Sequence, residues 1–163
     1  MFNLFRKKEK SITLIAPMNG TLLSIEDVDD PVFSTKMLGD GFAVEPTDGN
    51  VVAPCDGVVT QIFPTHHALG LKTDDGLELL IHVGIDTVEL KGEGFQRCVE
   101  PGTRVTAGTL LLQADLEAIR ASGRKITTPV VITNMEKVAG IRLHADTSLT
   151  AGKTEAATII LTS

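Results

Sequence analysis

Ala68-Leu69-Gly70-Leu71-Lys72, then Thr73-Asp74-Asp75-Gly76, then Leu77-Glu78-Leu79-Leu80-Ile81-His82 reads as strand, turn and strand. Each arm is short and rich in β-compatible aliphatic residues, and the turn between them is rich in Asp and ends in Gly, the composition of a hairpin loop. The same grammar recurs outward in both directions. Residues 11–16, 21–25, 41–45, 51–53 and 58–63 are apolar runs, closed in turn by Pro17-Met18-Asn19-Gly20, the acidic loop from Glu26 to Pro31, Pro46-Thr47-Asp48-Gly49, Pro54-Cys55-Asp56-Gly57 and Pro64. Turn signals at this spacing predict an all-β sandwich or barrel. One or two short helices interrupt it: Asp115 can cap a helix over Leu116–Ala121, with Ser122-Gly123 ending it, and residues 135–138 can form a further turn.

Two segment pairs resemble each other. Ala16-Pro17-Met18-Asn19-Gly20-Thr21-Leu22 matches Ala53-Pro54-Cys55-Asp56-Gly57-Val58-Val59, and Val105-Thr106-Ala107-Gly108 matches Leu149-Thr150-Ala151-Gly152. This predicts an internally duplicated β architecture, although recurring strand-turn-strand grammar produces similar turns by itself. With 163 residues the chain is expected to hold a tail over residues 1–10 and a single domain over 11–163. No apolar run approaches the roughly 18 residues of a membrane-spanning helix. The net charge is −6, with no Trp or Tyr, which argues against nucleic-acid binding and for a basic protein partner. Cys55 and Cys98 form no Cys-x-x-Cys pattern, so a reducing compartment, the cytoplasm, is expected. In the tail, Phe2, Leu4 and Phe5 followed by Arg6, Lys7, Lys8 and Lys10 either fray or make a weak contact with an anionic membrane surface.

Three of the four histidines, His66, His67 and His82, flank the hairpin turn. With the turn centred between Asp74 and Asp75, the pairing sets His67 opposite His82, with Cβ atoms about 5 Å apart. A slip of one residue would send the rings to opposite faces. Two facing imidazoles admit three readings: no joint role, an incomplete zinc site, or nucleophilic chemistry in which one ring attacks and the other stabilises charge. Phe33, Ile62, Phe63, Leu69, Val83 and Ile85 are candidates for apolar walls. No Gly-x-x-x-x-Gly-Lys loop and no Gly-x-Ser-x-Gly elbow is present.

Longer runs narrow these readings. Val44-Glu45-Pro46 through Val52-Ala53-Pro54-Cys55-Asp56-Gly57, Ile62-Phe63-Pro64-Thr65-His66-His67-Ala68, Thr128-Pro129-Val130-Val131-Ile132-Thr133-Asn134-Met135 and, above all, His82-Val83-Gly84-Ile85-Asp86-Thr87-Val88-Glu89-Leu90-Lys91-Gly92-Glu93-Gly94-Phe95 resemble the glucose-type EIIA component of the bacterial phosphoenolpyruvate:sugar phosphotransferase system. The likeness covers residues 11–162. It implies an antiparallel β-sandwich, a barrel-sandwich hybrid with a duplicated motif. It also implies a phosphoryl carrier that accepts from phospho-HPr and donates to a cysteine of the EIIB domain of a sugar permease, with no cofactor required.

By position in the motif, the resemblance makes His82 the phosphoryl acceptor through Nε2, His67 the second active-site histidine, and Thr65 the residue that fixes a histidine ring. Asp86 and Asp30 become acidic rim positions for partner arginines, with Phe33, Phe63 and Val83 in the partner-binding surround. The resemblance further implies regulatory targets among transporters and metabolic enzymes, and zinc at His67 and His82 at a complex interface. His66 departs from the family pattern, and Leu69 and Val83 stand where relatives carry an aromatic, predicting a less aromatic surround. His144 lies outside the motif and reads as structural. A lysostaphin-type zinc peptidase would need a His-x-His, and a biotinyl carrier a Lys at a hairpin tip; neither pattern is present.

Overall fold

A computed structural model describes residues 10–145 and 147–163. In chain order the strands are β1 (Ser11–Ile15), β2 (Gly20–Ser24), β3 (Asp40–Pro46), β4 (Asn50–Val52), β5 (Gly57–Ile62), β6 (Ala68–Lys72), β7 (Glu78–His82), β8 (Phe95–Arg97), β9 (Arg104–Val105), β10 (Leu110–Ala114), β11 (Thr128–Ile132), β12 (Val138–Leu143), β13 (Ser148–Leu149) and β14 (Glu155–Leu161). Two short helices, α1 (Pro31–Ser34) and α2 (Leu116–Ala121), and three 3-10 turns, Ile25–Asp27, Thr87–Leu90 and Met135–Lys137, complete the described chain. The expected all-β fold holds, and every strand pairing is antiparallel.

The strand order makes the duplication explicit. An eight-stranded sheet runs β13-β2-β3-β11-β7-β6-β5-β9, and two three-stranded sheets run β1-β14-β12 and β4-β10-β8. Reading the large sheet from either edge gives matching elements: β13 with β9, β2 with β5, β3 with β6, β11 with β7. One copy is therefore β4 to β10. The other is split around it into β1 to β3 and β11 to β14.

The hydrogen bonds between the copies are twinned, and so are those that close the corresponding turns within each copy. Ile15 N–H donates to Pro54 O and Val52 N–H to Pro17 O, both at 2.8 Å. Ala16 N–H donates to Thr154 O at 2.7 Å and Ala53 N–H to Thr109 O at 2.8 Å. Gly152 N–H donates to Ala16 O and Gly108 N–H to Ala53 O, at 2.9 and 2.8 Å. Asn19 Oδ1 accepts from Ala151 N–H at 2.7 Å and Asp56 Oδ1 from Ala107 N–H at 2.9 Å. The two sequence repeats are thus the seams of a two-fold arrangement, and their short polar side chains complete each turn.

The main core draws on all three sheets, with Leu14, Met18, Phe42, Leu71, Leu79, Ile81, Leu111 and Ile159 fully enclosed. A smaller cluster gathers Ile25, Val28, Phe33, Ala43, Ile85 and Val131 under the 25–33 segment. Helix α2 forms as its sequence predicts, Asp115 accepting from Ala118 N–H at 3.1 Å.

Two expectations are corrected. The 26–31 loop ends in a helix, because Asp30 caps α1 through Val32 N–H at 2.8 Å and Pro31 supplies a preset first turn. The β6–β7 hairpin pairs Ala68 with His82, not His67 with His82. Its loop has three residues, Asp74, Asp75 and Gly76, closed by Thr73 N–H to Leu77 O at 2.9 Å. Gly76 takes the left-handed conformation (φ 90°) that follows a type I turn in such loops, so the turn centres on Asp75, half a position later than expected, which shifts the pairing by one residue. Among the described residues no helix is long and apolar enough to cross a membrane.

Candidate functional site

His82 ends β7, and His67 lies just before β6 begins. The register alone would turn their side chains to opposite faces. They meet because His67 lies outside the regular strand, after a turn in which His66 takes a left-handed conformation (φ 59°) and donates to Phe63 O at 2.7 Å. Val83 N–H to His67 O, 2.8 Å, ties the two segments together. The rings lie edge to face, with centroids 4.8 Å apart and planes at 80°. The facing pair predicted from the sequence is therefore present, by a different backbone route.

Each ring is held at Nδ1. His82 Nδ1 lies 2.8 Å from Gly84 O. A carbonyl only accepts, so Nδ1 carries the proton and Nε2 keeps its lone pair. His67 Nδ1 lies 2.5 Å from Thr65 Oγ1, the pairing expected of Thr65. His67 is 2% exposed. Burial, aided by the charge a protonated His82 would bring, pushes its pKa down to about 4. Burial also lowers the pKa of His82, opposed by the Gly84 carbonyl and by the negative charges of Asp30 and Asp86. Both rings are neutral near pH 7.

An unfolded chain takes protons on its histidines below about pH 6.5, whereas folded His67 refuses one until about pH 4. The unfolded state therefore binds more protons in that window, and stability rises with pH across it. The urea midpoint is expected to climb between about pH 4 and 6.5, and to climb less in His67→Gln.

The surround holds three phenylalanine rings, of which Phe33 and Phe63 were expected as walls. Phe33 lies 5.2 Å from the His82 ring, Phe63 5.5 Å from His67, and Phe95 6.4 Å from His67, centroid to centroid. Phe95 was missed as a wall, although it ends the Gly92-Glu93-Gly94-Phe95 run. Phe33, expected at the partner surface, is buried and covers His82, while Phe63 stays half-buried. Val83 is fully buried and cannot form a partner contact in this conformation. It follows His82 along the chain, and its side chain turns into the main core with Leu69. Asp86 is exposed and left-handed (φ 58°), and Asp30 is half-exposed at the α1 cap. Exposed apolar residues on the flanking segments, Val32, Met37, Leu38 and Val88, carried no sequence signal.

The turn after His82 fixes the ring. Thr87 Oγ1 donates to Val83 O at 2.5 Å, and Ile85 N–H donates to Lys125 O at 3.0 Å. Gly84 has φ 76°, and a Cβ there would lie 2.5 Å from Thr87 Cγ2 and 2.9 Å from Lys125 O. Gly84→Ala is expected to destabilise the fold by about 1–3 kcal/mol. A lowered urea midpoint and slower phosphoryl uptake would report it.

The profile of the phosphoenolpyruvate-dependent sugar phosphotransferase system, EIIA 1, matches residues 12–138. The chain belongs to this family. Members carry a phosphoryl group from HPr to EIIB in sugar uptake, and this chain is such a phosphotransferase component, acting through a phosphohistidine. It is similar to the glucose-specific EIIA component of Halalkalibacterium halodurans, 50% identical over 90% of this chain and 84% of the relative. The corresponding protein of Staphylococcus aureus is 43% identical over 95% of this chain and 93% of its own length. Glucose permease IIA of Mycoplasma capricolum superposes with a TM-score of 0.82 at 35% identity, over 91% of this chain and 96% of that one. EIIA transfer needs no cofactor. Among the described residues no cluster of three His, Cys, Asp or Glu side chains could hold a metal ion.

Proposed function

We propose that His82 is the phosphoryl acceptor and that the group it carries serves glucose uptake. The observation that carries this reading is the His82 Nδ1–H donating to Gly84 O, which leaves a neutral ring with its Nε2 lone pair free beside a second neutral imidazole. That lone pair attacks the phosphorus of phospho-HPr; the new N–P bond forms as the bond to the HPr histidine breaks. The phosphorylated ring keeps its Nδ1 proton and gains positive charge, which Gly84 O, Asp30 and Asp86 stabilise. In the second step a cysteine sulfur of EIIB attacks, and the electron pair returns to Nε2. Thr65 donates to His67 Nδ1, so that His67 Nε2–H points its proton at the phosphoryl oxygens. Phe33, Phe63 and Phe95 keep water from the labile N–P bond.

Asp86 and Asp30 meet partner arginines, and Phe63 with exposed Val32, Met37, Leu38 and Val88 supplies the apolar contact. One such face serves HPr, EIIB and regulatory targets in turn. Residues 11–163 act as a single domain in the cytoplasm. The tail over 1–10, of which 1–9 lie outside the described residues, adds a weak contact with the inner membrane surface. Zinc at His67 and His82 would have two imidazoles here and need its remaining ligands from a second molecule. Glucose is the sugar named for both curated relatives.

The test is intact-mass spectrometry with phosphoenolpyruvate, Mg²⁺, enzyme I and HPr, followed by addition of a glucose-specific EIIB domain. A gain of one phosphoryl group that disappears on adding EIIB is the expected result. No gain on the wild-type chain would sink the reading.

A further inference from the structure

The segment from Gly84 to Leu90 carries Asp86 and Val88 and supplies the carbonyl that fixes His82. Its internal bonds, Thr87 to Val83 O and Glu89 N–H to Asp86 O, make it a compact turn but do not place it on the sheet. Among the described residues, the hydrogen bonds that tie residues 84–90 to chain beyond the adjoining 82–93 stretch run to Arg124 and Lys125. Lys125 contributes its backbone carbonyl to Ile85 N–H.

Arg124 contributes its side chain. Its Nε donates to Asp86 O at 3.1 Å, its Nη2 pairs with Glu89 Oε2 at 2.6 Å, and its Nη1 reaches back to Ser122 O at 3.4 Å. One guanidinium thus joins the start and the middle of the Thr87–Leu90 turn to the connection after α2. Its side chain is only 25% exposed, in contrast to the open ion pairs of Arg104 and Arg120, which are 60% and 50% exposed. Half-buried, multidentate arginine contacts hold geometry better than open single pairs do. Asp86 gains most. It is a non-glycine residue in a left-handed conformation, and Arg124 binds its carbonyl. Lysine has one charged head and cannot make the three contacts together.

We propose that Arg124 is a positioning residue for phosphoryl transfer: it holds the Asp86–Glu89 turn against His82 so that the partner protein meets a preformed face. This rests on the reading of His82 as the acceptor. Arg124 touches no reacting atom and acts through Asp86. Its loss leaves the Ile85–Lys125 bond and the core in place, so the fold survives while the turn loses its registry.

The test is the rate of phosphorylation against phospho-HPr concentration for wild type, Arg124→Ala, Arg124→Lys and Glu89→Gln, with urea midpoints for each. Expected for both Arg124 variants is a KM for phospho-HPr raised about tenfold, with kcat changed less than about threefold and midpoints near wild type. Glu89→Gln, which keeps the Asp86 contact, is expected to fall between wild type and Arg124→Ala. A wild-type KM in Arg124→Ala would overturn the proposal. So would full rescue in Arg124→Lys, since charge alone would then suffice. Wild-type protein that takes no phosphoryl group at His82 would overturn the acceptor reading instead, which keeps the two failures apart.

Discussion

His82→Ala is expected to take up no phosphoryl group, its intact mass unchanged after prolonged incubation with phospho-HPr. Removing the ring removes the attacking Nε2, and the remaining groups offer no replacement. His67 is 2% exposed, and its Nδ1 is engaged with Thr65. His66 lies on the preceding turn and faces no comparable pair. His144 is held on β14, its Nε2 3.1 Å from Thr158 Oγ1 and 3.7 Å from Glu155. His82→Gln keeps bulk at the position while lacking a nucleophilic ring, and the same loss is expected from it. Both variants should fold, because His82 ends its strand and its ring makes one hydrogen bond, to Gly84 O. A phosphoryl gain on either variant would move the acceptor elsewhere.

His67→Gln is expected to separate the two half-reactions. The amide can still occupy the buried position beside Thr65, and His82 keeps its orientation through Gly84, so acceptance from phospho-HPr continues. Onward transfer asks more of the neighbour. As sulfur attacks, negative charge gathers on the phosphoryl oxygens within an aromatic enclosure, where a positioned N–H donor counts for more than in water. Replacing the imidazole Nε2–H, whose direction the ring and Thr65 fix, with the more mobile amide of Gln is expected to slow transfer to EIIB about 100- to 1,000-fold, read as the decay of the phosphorylated mass after EIIB is added. Equal decay rates in variant and wild type would remove His67 from the second step.

The sequence showed some of this directly and hid the rest for identifiable reasons. Ala68–Lys72 and Leu116–Ala121 form where local grammar places them, because a hairpin turn and an Asp cap are short-range signals. The repeats at Ala16 and Ala53 carried the two-fold, since their turn side chains repeat the same bonds. The hairpin register did not emerge, because Thr73-Asp74-Asp75-Gly76 is compatible with loops of different length and only Gly76's conformation decides between them. Helix α1 was hidden for want of length, although Asp30-Pro31 was its signal. At the site, His67, His82 and Thr65 were legible from motif and spacing. Phe95 and Arg124 were not, because the contacts that matter to them cross from distant parts of the chain.

The split copy has a consequence for the order in which the chain can be completed during synthesis. β4 to β10, with His67 and His82 among them, leave the ribosome as one continuous run and can close their own ladders early. β2 and β3 can pair with each other early, but β1 and the second edge of β3 must wait for β14 and β11. Until the last quarter of the chain emerges, those edges stay unpaired, a condition under which nascent β-proteins are open to mispairing. The histidine pair is also unfinished in that interval, since Lys125, which anchors the turn beyond His82, belongs to the late-arriving stretch.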